Sequence, residues 1–353
     1  MTTPSADAEA LIERRGRAGV IVLNRPKALN ALTLAMVMLI AAALNDWQGD
    51  GAVDRIIILG TGERAFCAGG DIRRLYDLGR AGDHDAQLTF WREEYQLNRQ
   101  IKTYPKPIVA LVDGIVMGGG VGLAMHAAHI VAGERFIFAM PEVGIGFFPD
   151  VGAAWLLPRL PFRMGVYFAL TGLRADAADA LALGLAQTFV PSSAFPALAR
   201  ELESSEPLQP VLARFSAPPR RSRLIGDAEA IEACFSRPDR AAILDALDKA
   251  GTHGRAFAAP ARAAMMEKSP TSQAIALRQM ALGATIDFDD ALRMDYRIVS
   301  RICRGHDFYE GVRAVIVDKD NRPTWALPPS RTEVDAYFAS LGDSELKFPG
   351  LDR

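Results

Sequence analysis

The chain has 353 residues, half of them hydrophobic, with 40 basic and 42 acidic side chains for a formal net charge of -2. That length can bury a substantial core, and the charge balance excludes the basic face that a nucleic-acid binder needs. Three cysteines, odd in number and without a Cys-x-x-Cys pair, exclude a disulfide framework; they predict free thiols in a reducing compartment, with the cytoplasm as the expected location.

Met1 to Glu9 carries neither a basic nor an apolar run, so no signal peptide is expected. Ala18 to Leu23 reads as a strand, ended by turn chemistry at Asn24-Arg25-Pro26-Lys27. Thr33 is the predicted N-cap of a helix that runs toward Trp47 and ends near Gly49. Arg55 to Gly60 is a continuous apolar run, the mark of a strand buried on both faces. A loop from Thr61 to Asp71 follows. Then come a predicted helix from about Asp85 to Thr103, a strand over Pro107 to Val112, the triplet Gly118-Gly119-Gly120, and a predicted helix over Val121 to Ala132. The apolar tract from Ile108 to Gly133 is no membrane span, because Asp113, His126, His129 and the glycine triplet interrupt it. Strand, loop and helix alternate, which predicts α/β layering. From about Ser204 strand-like runs nearly vanish. Helical arrangements such as Asp239 to Ala250 and Ser272 to Leu282 take over, so a domain boundary is predicted near residue 200.

The most informative stretch is Met140-Pro-Glu-Val-Gly-Ile-Gly-Phe-Phe-Pro-Asp150. Glu142 and Asp150 lie eight positions apart among glycines, prolines and bulky apolar residues, with no cation in the stretch. A carboxylate in apolar surroundings must pair, protonate or do chemistry. A shaped loop of this kind carries function more often than core. Glu94 is a third acidic candidate. Phe90, Trp91, Leu97 and Ile101 trace an apolar stripe at helical spacing, and Glu94 falls inside it.

Two loops follow buried strands and could offer main-chain amides to a developing negative charge. One is the glycine triplet; the other is Ala65-Phe-Cys-Ala-Gly-Gly-Asp71. Two N–H groups converging on one oxygen form an oxyanion hole, each typically worth ~3 kcal/mol in a transition state. The triplet is not a P-loop, since no Gly-Lys-Ser/Thr follows it. His126 and His129, three apart on the predicted helix, lack H-E-x-x-H spacing and read as core or interface histidines. His306 reads as a structural hydrogen-bonder. Cys67 has no histidine near it in sequence and reads as a small buried residue. No metal site is expected.

Taken together, Asn24-Arg-Pro-Lys-Ala-Leu-Asn-Ala-Leu32, Ala65-Phe-Cys-Ala-Gly-Gly-Asp-Ile72, the Gly118 to Gly120 triplet and Met140-Pro-Glu142 resemble the crotonase (enoyl-CoA hydratase/isomerase) superfamily. Within it, Trp91-Arg-Glu-Glu-Tyr95, Met140 to Asp150, Ser269-Pro-Thr-Ser272, Arg304-Gly-His-Asp-Phe-Tyr-Glu-Gly-Val-Arg-Ala314 and Asp318-Lys-Asp320 resemble the 3-hydroxyisobutyryl-CoA hydrolase branch. The resemblance implies an α/β fold: a crotonase-like ββα spiral core over residues 10–200 that binds acyl-CoA, and an extended α-helical C-terminal region over 201–353. It implies hydrolysis of a 3-hydroxyacyl-CoA thioester, 3-hydroxyisobutyryl-CoA first, as in valine breakdown. By position, Ala68 and Gly119 would supply the oxyanion amides, Glu142 and Asp150 the catalysis, and Glu94, Gly119, Glu142 and Asp150 the substrate contacts. Gly70 and Asp71 would lie against the CoA moiety; Arg25 and Lys27 are candidates for its phosphates. No cofactor is implied, CoA being part of the substrate. The expected partner is that small molecule, with no nucleic acid and no membrane. A homo-oligomer is open, because the tail could occlude or replace the surface through which such folds form trimers.

The chain departs from the hydratase pattern at one position. Hydratases of this family hold one water with two glutamates, the first lying two residues after the glycine triplet. Here that residue is Gly122. Alkene hydration is therefore expected to be poor, and attack at the thioester carbonyl favoured. The rival readings are a true enoyl-CoA hydratase or isomerase, a non-catalytic acyl-CoA-binding protein, and a hydrolase for the smaller 3-hydroxypropionyl-CoA.

Overall fold

The computed structural model describes residues 8–352. They divide into two compact units. The first comprises the chain up to Gly70, Gln96–Phe138 and Ala175–Arg223; the second comprises Asp71–Tyr95, Ala139–Arg174 and the chain from Leu224. This partition differs from a single cut near residue 200, and the reason lies in which segments cover the main sheet.

That sheet belongs to the first unit. Among the described residues its order is β1 (Ala10–Arg15), β2 (Ala18–Leu23), β3 (Arg55–Gly60), β5 (Ile108–Val112), β7 (His129–Ala132), β10 (Thr188–Phe189). β1 pairs antiparallel with β2; the remaining pairs are parallel. Parallel strands covered on both faces need apolar side chains on both, which is why β2 and β5 are buried along their whole length. One face packs Val20, Val22, Ile57, Val109, Leu111 and Val131 against Leu198, Leu202, Val211 and Leu212. The last three lie beyond residue 200, so the first unit extends to Arg223. Each such side chain contributes about 1.5–3 kcal/mol on burial.

A second, smaller sheet has the order β4 (Ala65–Cys67), β6 (Ile115–Met117), β8 (Ile137–Ala139), β9 (Ala175–Asp176). Long and short strands therefore alternate along the chain: β3 then β4, β5 then β6, β7 then β8. After β4 come helices α2 (Ile72–Arg80) and α3 (His84–Lys102), and after β6 the short α4 (Gly119–Ala124). This is the ββα repeat. Helix α1 (Leu34–Gln48) starts where predicted, with the Thr33 side chain accepting from the Met36 amide. The predicted helix over Val121 to Ala132 is corrected. It stops at Ala124, and His129 begins β7. An unbroken apolar run has no period that separates a buried helix from a buried strand.

The second unit is mostly helical. Helices Pro270–Gly283, Phe288–Ile302 and His306–Val312 pack with the segment Ala139–Arg174 and with the first part of α3. An aromatic cluster joins them. Trp91 stacks on Phe147 at 5.5 Å between centroids. Phe147 in turn meets Phe148 at 4.7 Å and Phe308 at 5.8 Å. The loop that carries Glu142 and Asp150 is thus anchored by ring packing on both sides.

Candidate active site

Three carboxylates gather in the second unit. Glu94 projects from α3, Glu142 opens the short 3-10 turn Glu142–Ile145, and Asp150 ends the aromatic-rich loop. Their exposures are 2%, 5% and 4%, so all three are out of water. The Tyr95 hydroxyl donates to Asp150 Oδ2 at 2.8 Å. Glu94 Oε1 and Glu142 Oε2 are buried without a hydrogen-bond partner among the described residues. A buried carboxylate without partners favours its protonated form. Burial, then the neighbouring Asp150, pushes the Glu94 carboxyl well above its ordinary value. The same two causes raise Glu142, its own main-chain amide pulling the other way. Burial raises Asp150 to about 7, against the Tyr95 hydrogen bond and its own amide. Carboxyls raised by burial in this way suit general acid–base work, and Asp150 in particular is brought near neutral pH.

The turn that carries Glu142 is braced by the distinctive tail segment. The Ser269 amide donates to the Val143 carbonyl at 3.1 Å. Ser269 Oγ donates to Asp307 Oδ2 and also accepts from the Ser272 amide, capping helix Pro270–Gly283. Asp307 Oδ1 accepts from the Ala326 amide at 2.8 Å. Gly146 closes the turn at φ 69°, and a Cβ there would overlap the Asp307 carbonyl. Arg313 gathers Glu310, Asp318 and Asp320, which ties down the segment after helix His306–Val312. His306 Nε2 bonds the Thr324 carbonyl oxygen at 2.9 Å, the structural role expected of it. Both motifs singled out in the tail therefore act as supports.

The amide candidates lie in the first unit. Gly119 is the first residue of α4, so its N–H has no intrahelical acceptor. The β4 loop passes close by: a Cβ on Gly69 would lie 3.7 Å from the Gly119 nitrogen. Ala68 does not offer its amide, which donates to the Leu29 carbonyl at 3.0 Å. Two residues on, Gly70 bridges Leu32, and no acceptor is seen for its N–H among the described residues. Asp71, expected near CoA, caps α2 by accepting from the Arg74 amide at 3.2 Å. Arg25 pairs with Glu9 at 3.0 Å and donates to the Ala31 carbonyl. Lys27 is exposed.

Gly122 has a spatial explanation. A Cβ there would sit 2.5 Å from Asn98 Nδ2. Asn98 is fully buried, and neither polar atom of its side-chain amide has a hydrogen-bond partner among the described residues. The place from which a hydratase projects its first glutamate is thus filled by an asparagine side chain. Sequence reading gave no role to Asn98, Tyr95, Gln279 or Asp295. Asp295 carried the same signal as Glu94, a carboxylate inside the apolar stripe Leu292, Val299, Ile302 of its helix. His126 and His129 do not share a helix, and His129 Nε2 bonds Thr188 Oγ1 at 2.8 Å. No group able to hold a metal occurs among the described residues, and no helix there is long and apolar enough to cross a membrane.

Residues 18–339 match the enoyl-CoA hydratase/isomerase family, and the chain belongs to it. Over 97% of its length it is 45% identical to the mitochondrial 3-hydroxyisobutyryl-CoA hydrolase of Xenopus tropicalis, covering 91% of that protein. The human mitochondrial 3-hydroxyisobutyryl-CoA hydrolase is 42% identical over 97% of this chain and 92% of its own. Among solved structures, an enoyl-CoA hydratase from Rhodobacter sphaeroides superposes with TM-score 0.91 at 41% identity, covering 97% of this chain and all of that one. A carnitinyl-CoA dehydratase from Mycobacterium thermoresistibile gives 0.92 at 37% identity, covering 98% of this chain and 100% of its own. The expected α/β crotonase-like core with a helical C-terminal region is borne out. The expected cytoplasmic location is not, because the relatives are mitochondrial proteins. Free thiols fit a reducing compartment without choosing among such compartments.

Proposed function

We propose that this chain hydrolyses 3-hydroxyacyl-CoA thioesters, with 3-hydroxyisobutyryl-CoA the first substrate to test, giving 3-hydroxyisobutyrate and free CoA. The observation that carries the reading is the trio Glu94, Glu142 and Asp150, buried together, with two carboxylate oxygens left unpartnered. Acceptors in that state match a substrate hydroxyl and an attacking water, both of which are donors. Near full-length similarity to named 3-hydroxyisobutyryl-CoA hydrolases supports the same substrate.

The roles are assigned residue by residue. Main-chain amides of Gly119 and Gly70 polarise the thioester oxygen. Ionised Glu142 either attacks the carbonyl to give a mixed anhydride, which water then opens, or takes a proton from water for direct attack. In both routes one water is consumed, the C–S bond breaks, and the CoA thiolate leaves without strong acid help because thiols are already acidic. Asp150 and Glu94 accept from the 3-hydroxyl. Water is the only co-substrate required. The test is thiol release from 3-hydroxyisobutyryl-CoA by wild type and by Glu142→Gln. Loss of at least two orders of magnitude with unchanged folding supports the assignment; near-normal turnover removes Glu142 from it. Hydration of crotonyl-CoA is the competing activity, and Asn98 packed at Gly122 speaks against it.

A further inference from the structure

We propose that Gln279 and Asp295 form a positioning clamp that sets the Asp150 carboxylate, and through it the preference for 3-hydroxylated acyl groups. The inference rests on the hydrolase reading above and adds two residues that touch neither substrate nor water in that scheme.

Gln279 lies on helix Pro270–Gly283 and Asp295 on helix Phe288–Ile302; both are fully buried. Gln279 Nε2 donates to the Pro149 carbonyl at 2.7 Å and to Asp295 Oδ1 at 2.8 Å. Asp295 Oδ2 accepts from the Gly152 amide at 2.9 Å. These bonds close a ring around residues 149–152 and grip the backbone on each side of Asp150.

The gripped segment needs holding. Val151 adopts φ 53° and Gly152 φ 81°. A β-branched residue at positive φ is a backbone outlier, which persists only when its surroundings over-determine it. Asp295 is itself unfavourable where it stands. It interrupts an apolar stripe in which Leu would bury well, and a carboxylate there needs hydrogen bonds to offset its desolvation. Its two bonds go to the Asp150 segment and to the Gln279 side chain that holds the same segment. The groups that share this region with Asp150 are Glu94 and Tyr95 from α3, Glu142 from its turn, and Asp295.

A positioning role separates from a merely structural one by substrate choice. If Asp150 reads the hydroxyl, loosening its backbone hurts 3-hydroxyisobutyryl-CoA far more than isobutyryl-CoA, which lacks the hydroxyl. Asp295→Asn keeps the shape but presents one acceptor to two donors, Gly152 N–H and Gln279 Nε2, so one bond must break. Gln279→Met keeps the volume and leaves the Gly152 bond intact.

The experiment measures kcat/KM for thiol release from both substrates, with wild type and both variants, alongside their urea unfolding midpoints. Each variant is expected to lower the 3-hydroxyisobutyryl to isobutyryl ratio at least about tenfold, since misplacement near 1 Å can remove about a hundredfold in rate. The isobutyryl rate should fall less than threefold. Equal proportional loss on both substrates, or an unchanged ratio, overturns the clamp. Should Asp295→Asn fail to fold, Gln279→Met decides alone. A wild type that releases thiol from neither substrate overturns the hydrolase reading. A wild type that discriminates while its variants keep the ratio overturns only the clamp.

Discussion

Replacing Asp150 by Asn should make this protein more stable at alkaline pH and no more stable in acid. Burial raises the Asp150 carboxyl from 3.8 to about 7 in the fold. For an acid, a raised folded value means that the fold prefers the neutral form. Below about pH 4 the group is protonated folded and unfolded alike, and it has no effect. As pH climbs from there to about 7, the unfolded chain ionises freely while the fold resists, so stability is lost; above that the loss is constant. At ~1.4 kcal/mol per pH unit between the two values, the full effect is about 4 kcal/mol. Asparagine cannot ionise. It still accepts the Tyr95 hydroxyl, and its new N–H group meets a region where Glu94 Oε1 and Glu142 Oε2 lack donors. Urea unfolding midpoints of wild type and Asp150→Asn at pH 8 and pH 4 measure the effect; groups remote from Asp150 cancel in the difference, while Glu94 and Glu142, which its charge raises, shift in the same direction and add to the gain at pH 8. A variant less stable at pH 8, or a gap of equal size at both pH values, would refute the carboxyl raised by burial. Because the same substitution removes the proposed hydroxyl acceptor, stability should rise as 3-hydroxyacyl turnover falls, the usual exchange at a functional site.

Gly122→Glu should not create a hydratase, because its Cβ would stand 2.5 Å from Asn98 Nδ2. It should cost about 1–3 kcal/mol by overpacking, and Asn98→Ala should return part of that in a double-mutant cycle; strictly additive losses would place the clash elsewhere. Gly146→Ala forces a side chain into left-handed φ and into the Asp307 carbonyl. It should lower both the unfolding midpoint and the kcat for thiol release, whereas a silent substitution would show that the Glu142 turn is not rigidly braced. The rate at saturating substrate should rise with pH as Glu142 ionises, in a range above ordinary carboxyls because burial and Asp150 raise it. A rate already flat from about pH 5 upward would count against Glu142 as the ionised participant.

How much of this was legible beforehand depended on whether a feature was local. Glu94 could be read from its own helix, as a carboxylate in the stripe Phe90, Trp91, Leu97, Ile101. The Met140 to Asp150 loop could be read from its composition, and the long strands from their unbroken apolar runs. The strands of the smaller sheet could not, because β4, β6 and β8 span three residues each and offer no period to detect. That the Ala68 amide is already engaged was hidden for another reason. It depends on the chain bringing the Leu29 carbonyl to Ala68, with Leu29 itself at φ 52°. Asp295 was recognisable as out of place, yet its partner Gly152 lies 143 residues away, and no spacing rule reaches that far. The helical tail was visible as composition, but not the fact that Leu202, Val211 and Leu212 cover the main sheet.

The chemistry follows from what is packed at Gly122 as much as from what is present at Glu142. A hydratase of this family must place a water between two acidic side chains near an alkene. Here one of those places is filled by Asn98, and the acidic groups are instead clustered in the second unit, where Asp150 raises the proton affinity of Glu94 and of Glu142. Such a cluster gains most from a ligand that donates hydrogen bonds without bringing negative charge, and a 3-hydroxyl does that. A plain acyl chain leaves the same acceptors buried and unsatisfied, a penalty of about 1–3 kcal/mol for each one. Under the hydrolase reading, selectivity for hydroxylated thioesters follows from the two unpaired acceptors, together about 2–6 kcal/mol, and should outlast single changes in the apolar residues around them, since one methyl more or less shifts preference by ~1–3 kcal/mol.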